Sequence, residues 1–266
     1  MNYPSAKKKY GQNFLIDQNI LNKIILLSES DKSDVIEIGP GTGLLTEKLL
    51  AKSNSVHAFE IDLDMVSYLN QFLKNDKLIL NHLDILKADL NDYIKSNNLK
   101  NVIVVANLPY YISTKIIFML LEVEKIVSIN IMLQKELIER ITSKKDNKTF
   151  GRLTVSINSF FNVENYFIVG RNSFKPSPNV DSGFIKLKKL DILIENHHTY
   201  MDFVKLSFSN RRKQLLNNLK TNQIFYNFTK EYLTKNNYSI YSRPENVSVD
   251  GYKEIWRNII KNENEN

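Results

Sequence analysis

Three glycines within five residues follow a short apolar run near the start of the chain. The segment Glu37-Ile38-Gly39-Pro40-Gly41-Thr42-Gly43 overlaps the strand-like run Asp34–Ile38, and a helical pattern begins directly after it. Glycine at a strand-to-helix turn lets a ligand approach the backbone closely at the carboxyl end of a parallel sheet. The sequence therefore predicts a site for a nucleotide-like ligand at this turn, with Gly39 and Gly41 against the ligand.

The glycine spacing disfavours a dinucleotide site. That fingerprint is G-x-G-x-x-G, whereas here the third glycine comes one residue early and Leu44 stands where it should be. Glu60 ends the next strand-like run, 21 positions after Gly39, close to the ~20 expected for a carboxylate that binds a ribose. Asp62 is the alternative for this role. Asp84 follows the third strand-like run and could accept a hydrogen bond from an adenine amine, although aspartate there is also typical of a helix cap.

A second motif follows the strand-like run Asn101–Ala106, which leads straight into Asn107-Leu108-Pro109-Tyr110. The glycine segment resembles the first motif of class I S-adenosylmethionine methyltransferases. N-L-P-Y resembles the [N/D/S]-P-P-[Y/F] signature of methyltransferases that act on planar exocyclic amines. With Tyr111-Ile112-Ser113 it is similar to the N-L-P-Y-x-I-S of the ribosomal RNA adenine dimethyltransferases.

Four further segments strengthen this resemblance over most of residues 7–220. They are similar to the family's G-Q-N-F-L, G-R-L-S/T-V, F-x-P-x-P-x-V-x-S and F-x-x-R-R-K, and here they are Gly11–Leu15, Gly151–Val155, Phe174–Ser182 and Phe208–Lys213. The leucine of N-L-P-Y and the basic segment favour the bacterial small-subunit (16S) enzymes over the resistance-type large-subunit enzymes.

The resemblance implies a role for each matching residue. S-adenosyl-L-methionine is the implied cofactor, and its contacts would include Asn13, Leu15 and Asn107. The Asn107 side-chain oxygen and the Leu108 carbonyl would accept both amine hydrogens of the target adenine, on a turn that Pro109 makes rigid. Tyr110 and Phe174 would stack on opposite faces of that base. The residues implied to contact RNA phosphates are Arg211, Arg212 and Lys213.

The implied reaction is methylation of the exocyclic amines of two adjacent adenines in small-subunit ribosomal RNA, in the subunit or its precursor. One alternative is a large-subunit (23S) dimethyltransferase that confers antibiotic resistance. Another is a non-catalytic RNA-binding assembly or transcription factor of the same fold. Glu60, Asp84 and the complete N-L-P-Y argue against a factor without turnover.

The elements that position these motifs alternate between strand and helix. Strand-like runs at 34–38, 55–60, 77–82, 101–106 and 127–133 are separated by helical stretches, after a first helix that Asp17 caps. This pattern predicts a doubly wound and mostly parallel α/β sheet, and the resemblance implies that it is the class I methyltransferase fold. Runs at 166–169 and 180–187 without a full helix between them predict an antiparallel edge hairpin. Residues 151–161 have mixed character.

From about residue 195 the pattern is helical. We therefore predict a domain boundary near residue 190. The resemblance implies a catalytic, cofactor-binding domain over residues 1–190 and a small, all-α RNA-binding or ribosome-binding domain over residues 191–266.

Composition excludes several other classes. The net charge of +7 makes a polyanionic partner plausible, although clusters such as Lys7-Lys8-Lys9 could simply solvate the surface. The chain has no cysteine, and its four histidines show no ligand spacing, so we expect no disulfide and no metal. The apolar run Ile116–Leu121 is far shorter than the roughly 20 residues that span a bilayer. We expect a cytoplasmic monomer that does not associate with a membrane.

Overall fold

A computed structural model describes residues 4–192 and 194–265 of the chain. The strands are β1 (Phe14–Leu15), β2 (Asp34–Ile38), β3 (Ser55–Glu60), β4 (Leu78–His82), β5 (Val102–Asn107), β6 (Ile126–Gln134), β7 (Phe161–Val169), β8 (Phe174–Lys175) and β9 (Ser182–Lys189). The helices are α1 (Gln18–Ser28), α2 (Leu44–Leu50), α3 (Leu63–Phe72), α4 (Leu90–Ser96), α5 (Ser113–Leu121), α6 (Lys135–Ile141), α7 (Arg152–Phe160), α8 (His197–Ser207), α9 (Leu215–Leu219), α10 (Gln223–Lys235) and α11 (Val249–Glu265).

Seven strands form one sheet in the order β4-β3-β2-β5-β6-β9-β7. The first five are parallel, and β9 pairs antiparallel to β6. The predicted mostly parallel sheet with an antiparallel edge is confirmed. The two remaining strands, β1 and β8, pair with each other in a separate two-stranded sheet.

Both faces of the sheet are covered. Val35 belongs to an apolar cluster that includes Leu21 of α1 and Leu49 of α2. Ile36 and Ile38 alternate with Val35 to the opposite face and are equally buried. A parallel sheet requires this, because crossover helices pack on both of its faces.

Helix α1 was predicted from its sequence because both its N-terminal cap and its apolar spacing are local features. The Asp17 side chain accepts hydrogen bonds from the backbone N–H groups of Asn19 (2.9 Å) and Ile20 (3.2 Å), which caps the helix. Leu21, Ile24 and Ile25 are spaced at three and four residues and face the core.

Helix α7 was not predicted. It is buried on several sides, because Leu153, Val155 and Ile157 are buried together with Thr154 and Ser156. Polar residue types thus occupy buried positions of this helix, so residue type alone does not separate its buried positions from its exposed ones. Strand β7 also begins earlier than expected, at Phe161 rather than Tyr166.

The chain divides into two compact units, Met1–Ile138 with Val163–Lys189 and Glu139–Asn162 with Leu190–Asn266. The first contains nearly the whole sheet. The second is helical, with a core that includes Tyr200, Phe203, Tyr252 and Trp256. Residues 139–162 thus group with the C-terminal helices, although the sequence pattern placed them with the sheet. The functional assignment of the two domains stays a prediction. Within the described residues, no helix combines the length and apolarity needed to cross a bilayer.

One core residue of the first unit is acidic. Glu37 lies on β2 and is 1% exposed. Burial, together with the negative charge of Glu60, raises the pKa of Glu37 to about 8. The folded protein therefore keeps this carboxyl protonated at pH values where the unfolded chain has released the proton.

This shift predicts how stability depends on pH. Between the ordinary glutamate pKa and about 8, the folded state binds one more proton than the unfolded state, so the free energy of unfolding falls as pH rises, by up to about 1.4 kcal/mol per pH unit. Glutamine does not titrate, so the free energy of unfolding of Glu37→Gln should not fall in this way. Measured by urea unfolding, the stability of Glu37→Gln relative to the wild type should therefore increase as pH rises through this range. Glu47→Gln, at an exposed position on α2, is the control and should keep the wild-type pH dependence. A difference between Glu37→Gln and the wild type that is constant with pH would contradict the prediction.

Candidate active site

The carboxyl ends of three neighbouring strands meet at one edge of the sheet. Ile38 of β2 pairs with Phe59 of β3 and with Ala106 of β5, so Gly39, Glu60 and Asn107 come next on their strands. These residues line a cleft together with other predicted site residues, namely Asn13, Gly41, Asp84, Leu108, Pro109 and Tyr110. The structure thus brings together nine of the eleven residues predicted for the catalytic and cofactor sites.

The glycine turn forms the floor of the cleft. Gly41 has a φ of +55°, and a Cβ atom there would lie 3.0 Å from the ring of Phe14. Gly43 has a φ of +82°, and a Cβ atom there would lie 2.7 Å from Leu69 Cδ2. The positive φ favours glycine at both positions, and a Cβ atom would in addition press on the side chain of Phe14 or Leu69. Gly39 has open space where a side chain would begin, which leaves room for a ligand.

Glu60 is held in the cleft by two backbone donors. Its Oε2 accepts from Gly41 N at 3.2 Å and its Oε1 from Asp62 N at 2.9 Å. Each oxygen of a carboxylate can accept a second hydrogen bond, so both remain able to accept from a pair of hydroxyls. Burial raises the pKa of Glu60 above its ordinary value, although the two backbone bonds act in the opposite direction.

Asp62, the alternative to Glu60, has a different task. It is buried and accepts from Lys7 Nζ (2.5 Å) and from Gln12 Nε2 (3.0 Å). Although burial acts to raise the pKa of Asp62, these bonds hold it below the ordinary value. The carboxylate of Asp62 therefore fastens the N-terminal segment beside the cleft, and Asp62 is not among the described residues that line it.

Sequence reasoning missed this use of the N-terminal segment. Lys7, considered as part of a polyanion-binding cluster, pairs with Asp62 and with Asp64 (2.6 Å). Tyr10 and Gln12 line the cleft beside the predicted Asn13. The only sequence indication was the resemblance of Gly11–Leu15 to G-Q-N-F-L, which gave no partner for Gln12.

Asp84 serves as a cap and also faces the cleft. Its Oδ1 accepts from Leu86 N at 3.0 Å at the start of a short 3-10 helix, as its type and position suggested. It also lines the cleft with Ile85 and Leu86. The second carboxylate oxygen is not needed for the cap, so the predicted contact with an adenine amine stays compatible with this geometry.

The Asn107-Leu108-Pro109-Tyr110 turn is fixed by its own hydrogen bonds. Asn107 Nδ2 donates to the Asn13 carbonyl at 2.8 Å, which orients the side-chain amide so that Oδ1 is left as an acceptor. The Pro109 carbonyl accepts from Ile112 N at 3.3 Å, and the Tyr110 carbonyl accepts from Ser113 Oγ at 3.0 Å.

Tyr110 is half-buried and is fixed at its far end. Its hydroxyl hydrogen-bonds to the hydroxyl of Ser182, which is itself buried on β9. Burial raises the pKa of Tyr110 above its ordinary value, so the hydroxyl stays neutral at physiological pH. Ser182 closes the motif that resembles F-x-P-x-P-x-V-x-S, but the sequence assigned it no role.

Leu15 and Phe174 are the two predicted residues that the structure does not bring to the cleft lining. They pair directly across the β1–β8 ladder and are 6% and 4% exposed. Both side chains pack in the apolar cluster that contains Leu21 and Ile24 of α1. A ring in this position has no free face, so stacking of Phe174 on a base requires a different conformation.

The three residues predicted to contact RNA lie in the second unit, on the turn between α8 and α9. Arg211, Arg212 and Lys213 are all exposed, but α9 begins only at Leu215, so they do not form a helix start. The backbone N–H of Arg212 donates to Asn210 Oδ1 at 3.2 Å, and the backbone N–H of Lys213 donates to the Asn210 carbonyl at 3.1 Å. Arg211 Nη2 donates to two backbone carbonyls of a preceding loop, so its side chain already has protein partners.

Comparisons with known proteins agree with this geometry. The family model for "Ribosomal RNA adenine dimethylase" matches residues 4–255. The chain is 43% identical over 255 residues to "Ribosomal RNA small subunit methyltransferase A" of Mycoplasmopsis pulmonis, covering 94% of this chain and 98% of that protein. It is 42% identical over 226 residues to the protein of the same name from Bacillus pumilus, covering 82% and 77%. A dimethyladenosine transferase from Plasmodium falciparum has a similar structure, with a TM-score of 0.76, 26% identity and coverage of 93% and 98%. The chain belongs to the ribosomal RNA adenine dimethylase family.

Proposed function

We propose that this protein transfers methyl groups from S-adenosyl-L-methionine to the exocyclic amines of two adjacent adenines in small-subunit (16S) ribosomal RNA during ribosome biogenesis. The observation that carries the proposal is the Asn107-Leu108-Pro109-Tyr110 turn, which lies in one cleft with Glu60 and the glycine turn. The curated relatives are named for the small subunit, which favours it over the large-subunit alternative.

The cleft fits the cofactor by the chemistry of its donors and acceptors. Glu60 can accept from both ribose hydroxyls, Asp84 can accept from the adenine amine, and the open space at Gly39 admits a ligand close to the backbone. When bound, S-adenosylmethionine supplies an electrophilic methyl group. The residues that would hold it are Asn13, Gly39, Gly41, Glu60, Asp84 and Asn107.

The chain's own contribution to the reaction is to prepare the adenine amine. The lone pair of this nitrogen is delocalised into the ring, so the amine is a poor nucleophile. Acceptors for both of its hydrogens localise the lone pair and hold the nitrogen in one orientation. Asn107 Oδ1 is free for this because Nδ2 is occupied by the Asn13 carbonyl. The Leu108 carbonyl is the second acceptor.

Tyr110 provides a stacking face for a base that has left its helix or loop, a contact worth roughly 1–3 kcal/mol. A general base is unnecessary, because the methylated amine is acidic enough to release its proton to water. Consistent with this, the cleft lining, as far as the structure describes it, includes neither histidine nor lysine.

The substrate particle, the location and the oligomeric state complete the proposal. We infer that the enzyme acts in the cytoplasm, as a monomer, on the small subunit or its precursor. Incorporation of labelled methyl groups into purified, unmethylated small subunits, followed by mapping of the modified nucleotides, tests it. Labelling of large subunits instead would support the antibiotic-resistance alternative, and RNA binding without labelling would support a non-catalytic assembly or transcription factor.

Glu60→Ala should weaken cofactor binding while leaving the fold intact. Loss of a charged acceptor for two hydroxyls should cost about 1.5–3 kcal/mol, roughly 10- to 150-fold in Kd. Isothermal titration calorimetry with S-adenosylmethionine measures this, and circular dichroism checks the fold. Glu47→Ala, exposed on α2, is the control. An unchanged affinity for Glu60→Ala would remove Glu60 from the cofactor site.

Asn107→Ala should lower turnover by roughly 100-fold or more, the scale of removing one preorganised polar group. Binding of the protein to small subunits should be unaffected, because Asn107 acts on the amine and not on phosphates. Single-turnover methyl transfer and subunit binding measure the two effects separately. Asn70→Ala, at an exposed position on α3, should be neutral in both. Near-normal turnover of Asn107→Ala would mean that the acceptor lies elsewhere.

A further inference from the structure

The loop of residues 143–150 in the second unit is rich in exposed lysine. It contains Lys144, Lys145 and Lys148, all exposed, and ends at the buried Phe150. The ring of Phe150 lies 6.3 Å from that of Phe208, centroid to centroid, which anchors the end of the loop in the core of this unit.

Arg211 provides a second attachment. Its Nη2 donates to the backbone carbonyls of Lys148 (2.5 Å) and Phe150 (2.7 Å). Hydrogen bonds from a charged donor are stronger than those between neutral groups. Nη2 of the guanidinium thus binds the backbone of the lysine-rich loop, while Nη1 and Nε keep N–H donors of their own.

The tip of the same loop is held from the other side. Asp146 N donates to the Glu245 carbonyl at 2.9 Å, and Asn246 Nδ2 donates to Asp146 Oδ1 at 2.8 Å. Lys145 Nζ lies 5.5 Å from the centre of the Tyr238 ring. Asn246 binds one oxygen of the loop's one acidic side chain, Asp146, and among the described residues no ion pair joins that carboxylate to a lysine of the loop.

The turn that carries Arg212 and Lys213 is fixed as well. Asn218 Nδ2 donates to the carbonyls of Ser207 (2.7 Å) and Asn210 (3.0 Å). Since Arg211 joins this turn to the lysine-rich loop, two basic loops lie against each other with defined backbones. Among the described residues, none of the five cations Lys144, Lys145, Lys148, Arg212 and Lys213 is within 4.0 Å of a carboxylate in an ion pair.

We propose that Lys144, Lys145 and Lys148 extend the phosphate-binding surface that the family resemblance implies for Arg212 and Lys213, and that Arg211 is a positioning residue that holds the lysine-rich loop in place. The inference rests on the proposed function, which supplies RNA as the partner. Fixing the loop before binding reduces the entropy lost on association. Each cation that neutralises a phosphate makes affinity more dependent on salt.

The lysines are tested by the salt dependence of binding to purified, unmethylated small subunits. Simultaneous replacement Lys144→Gln, Lys145→Gln and Lys148→Gln should reduce the log–log slope by about 2–3, at ~0.7–0.9 per phosphate. The control replaces three exposed lysines around α10, Lys220, Lys230 and Lys235, with glutamine, which changes the net charge equally. A slope for the first variant that equals the control's would overturn the proposal.

The positioning role is tested by comparing Arg211→Gln with Arg212→Gln. In the free protein, hydrogen exchange of the Asp146, Thr149 and Phe150 amides should accelerate in Arg211→Gln and not in Arg212→Gln. The salt slope should fall by about 0.7–0.9 in Arg212→Gln, one phosphate, and by more in Arg211→Gln because displaced lysines lose their contacts. Unchanged exchange with a slope loss of one phosphate in Arg211→Gln would mean direct phosphate contact and would overturn the role.

Failure of this inference and failure of the proposed function are distinguishable. Methyl transfer to small subunits with no effect of the lysine replacements overturns the surface and leaves the function standing. Absence of methyl transfer, with salt-dependent binding that the replacements weaken, overturns the enzymatic function and supports the surface. S-adenosylmethionine affinity should be unchanged in every variant, since the cleft residues belong to the first unit. A parallel loss of that affinity would show that the substitutions damage the fold and would count against the surface.

Discussion

The register of three parallel strands is the constraint on which the site depends. Because Ile38 lies opposite both Phe59 and Ala106, the glycine turn, the Glu60 carboxylate and the Asn107 amide emerge at the same level of the sheet. A slip of one residue in either pairing would send a side chain to the opposite face. The N-terminal segment is then added to this edge through the Asn13 carbonyl and Asp62.

Glu60 and Asp62 lie two residues apart, but their different contacts give the two carboxylates different roles. Glu60 receives backbone donors and faces the cleft, and burial raises its pKa. In Asp62, burial also acts to raise the pKa, but bonds from Lys7 and Gln12 reverse the direction. The Glu60 carboxylate can still accept hydrogen bonds from a ligand, whereas the Asp62 carboxylate binds Lys7 and Gln12 of the protein itself. Spacing from the glycine turn favoured Glu60, but only the contacts explain what Asp62 does.

Sequence reasoning succeeded where the determining information is local. The βα alternation, the Asp17 cap and the strand ends at Glu60 and Ala106, one residue before the observed end of β5, follow from residue type and short spacing. The fold that they imply is confirmed. It failed where the deciding contact joins distant residues. The Tyr110–Ser182 and Arg211–Lys148 bonds join residues 72 and 63 positions apart, and the β1–β8 pairing that buries Phe174 joins residues still farther apart in the sequence. The helix α7 was missed because Thr and Ser take buried positions between its apolar residues.

The bond between Tyr110 and Ser182 has a consequence for how a base is received. A free tyrosine on a surface samples several rotamers, and selecting one of them on binding costs conformational entropy. Here the turn fixes the backbone of Tyr110 and a buried serine fixes its hydroxyl, so the side-chain entropy is already lost when the protein folds. An adenine that stacks on Tyr110, as proposed, would therefore meet a ring that is already in one orientation and that does not adjust to a misaligned base.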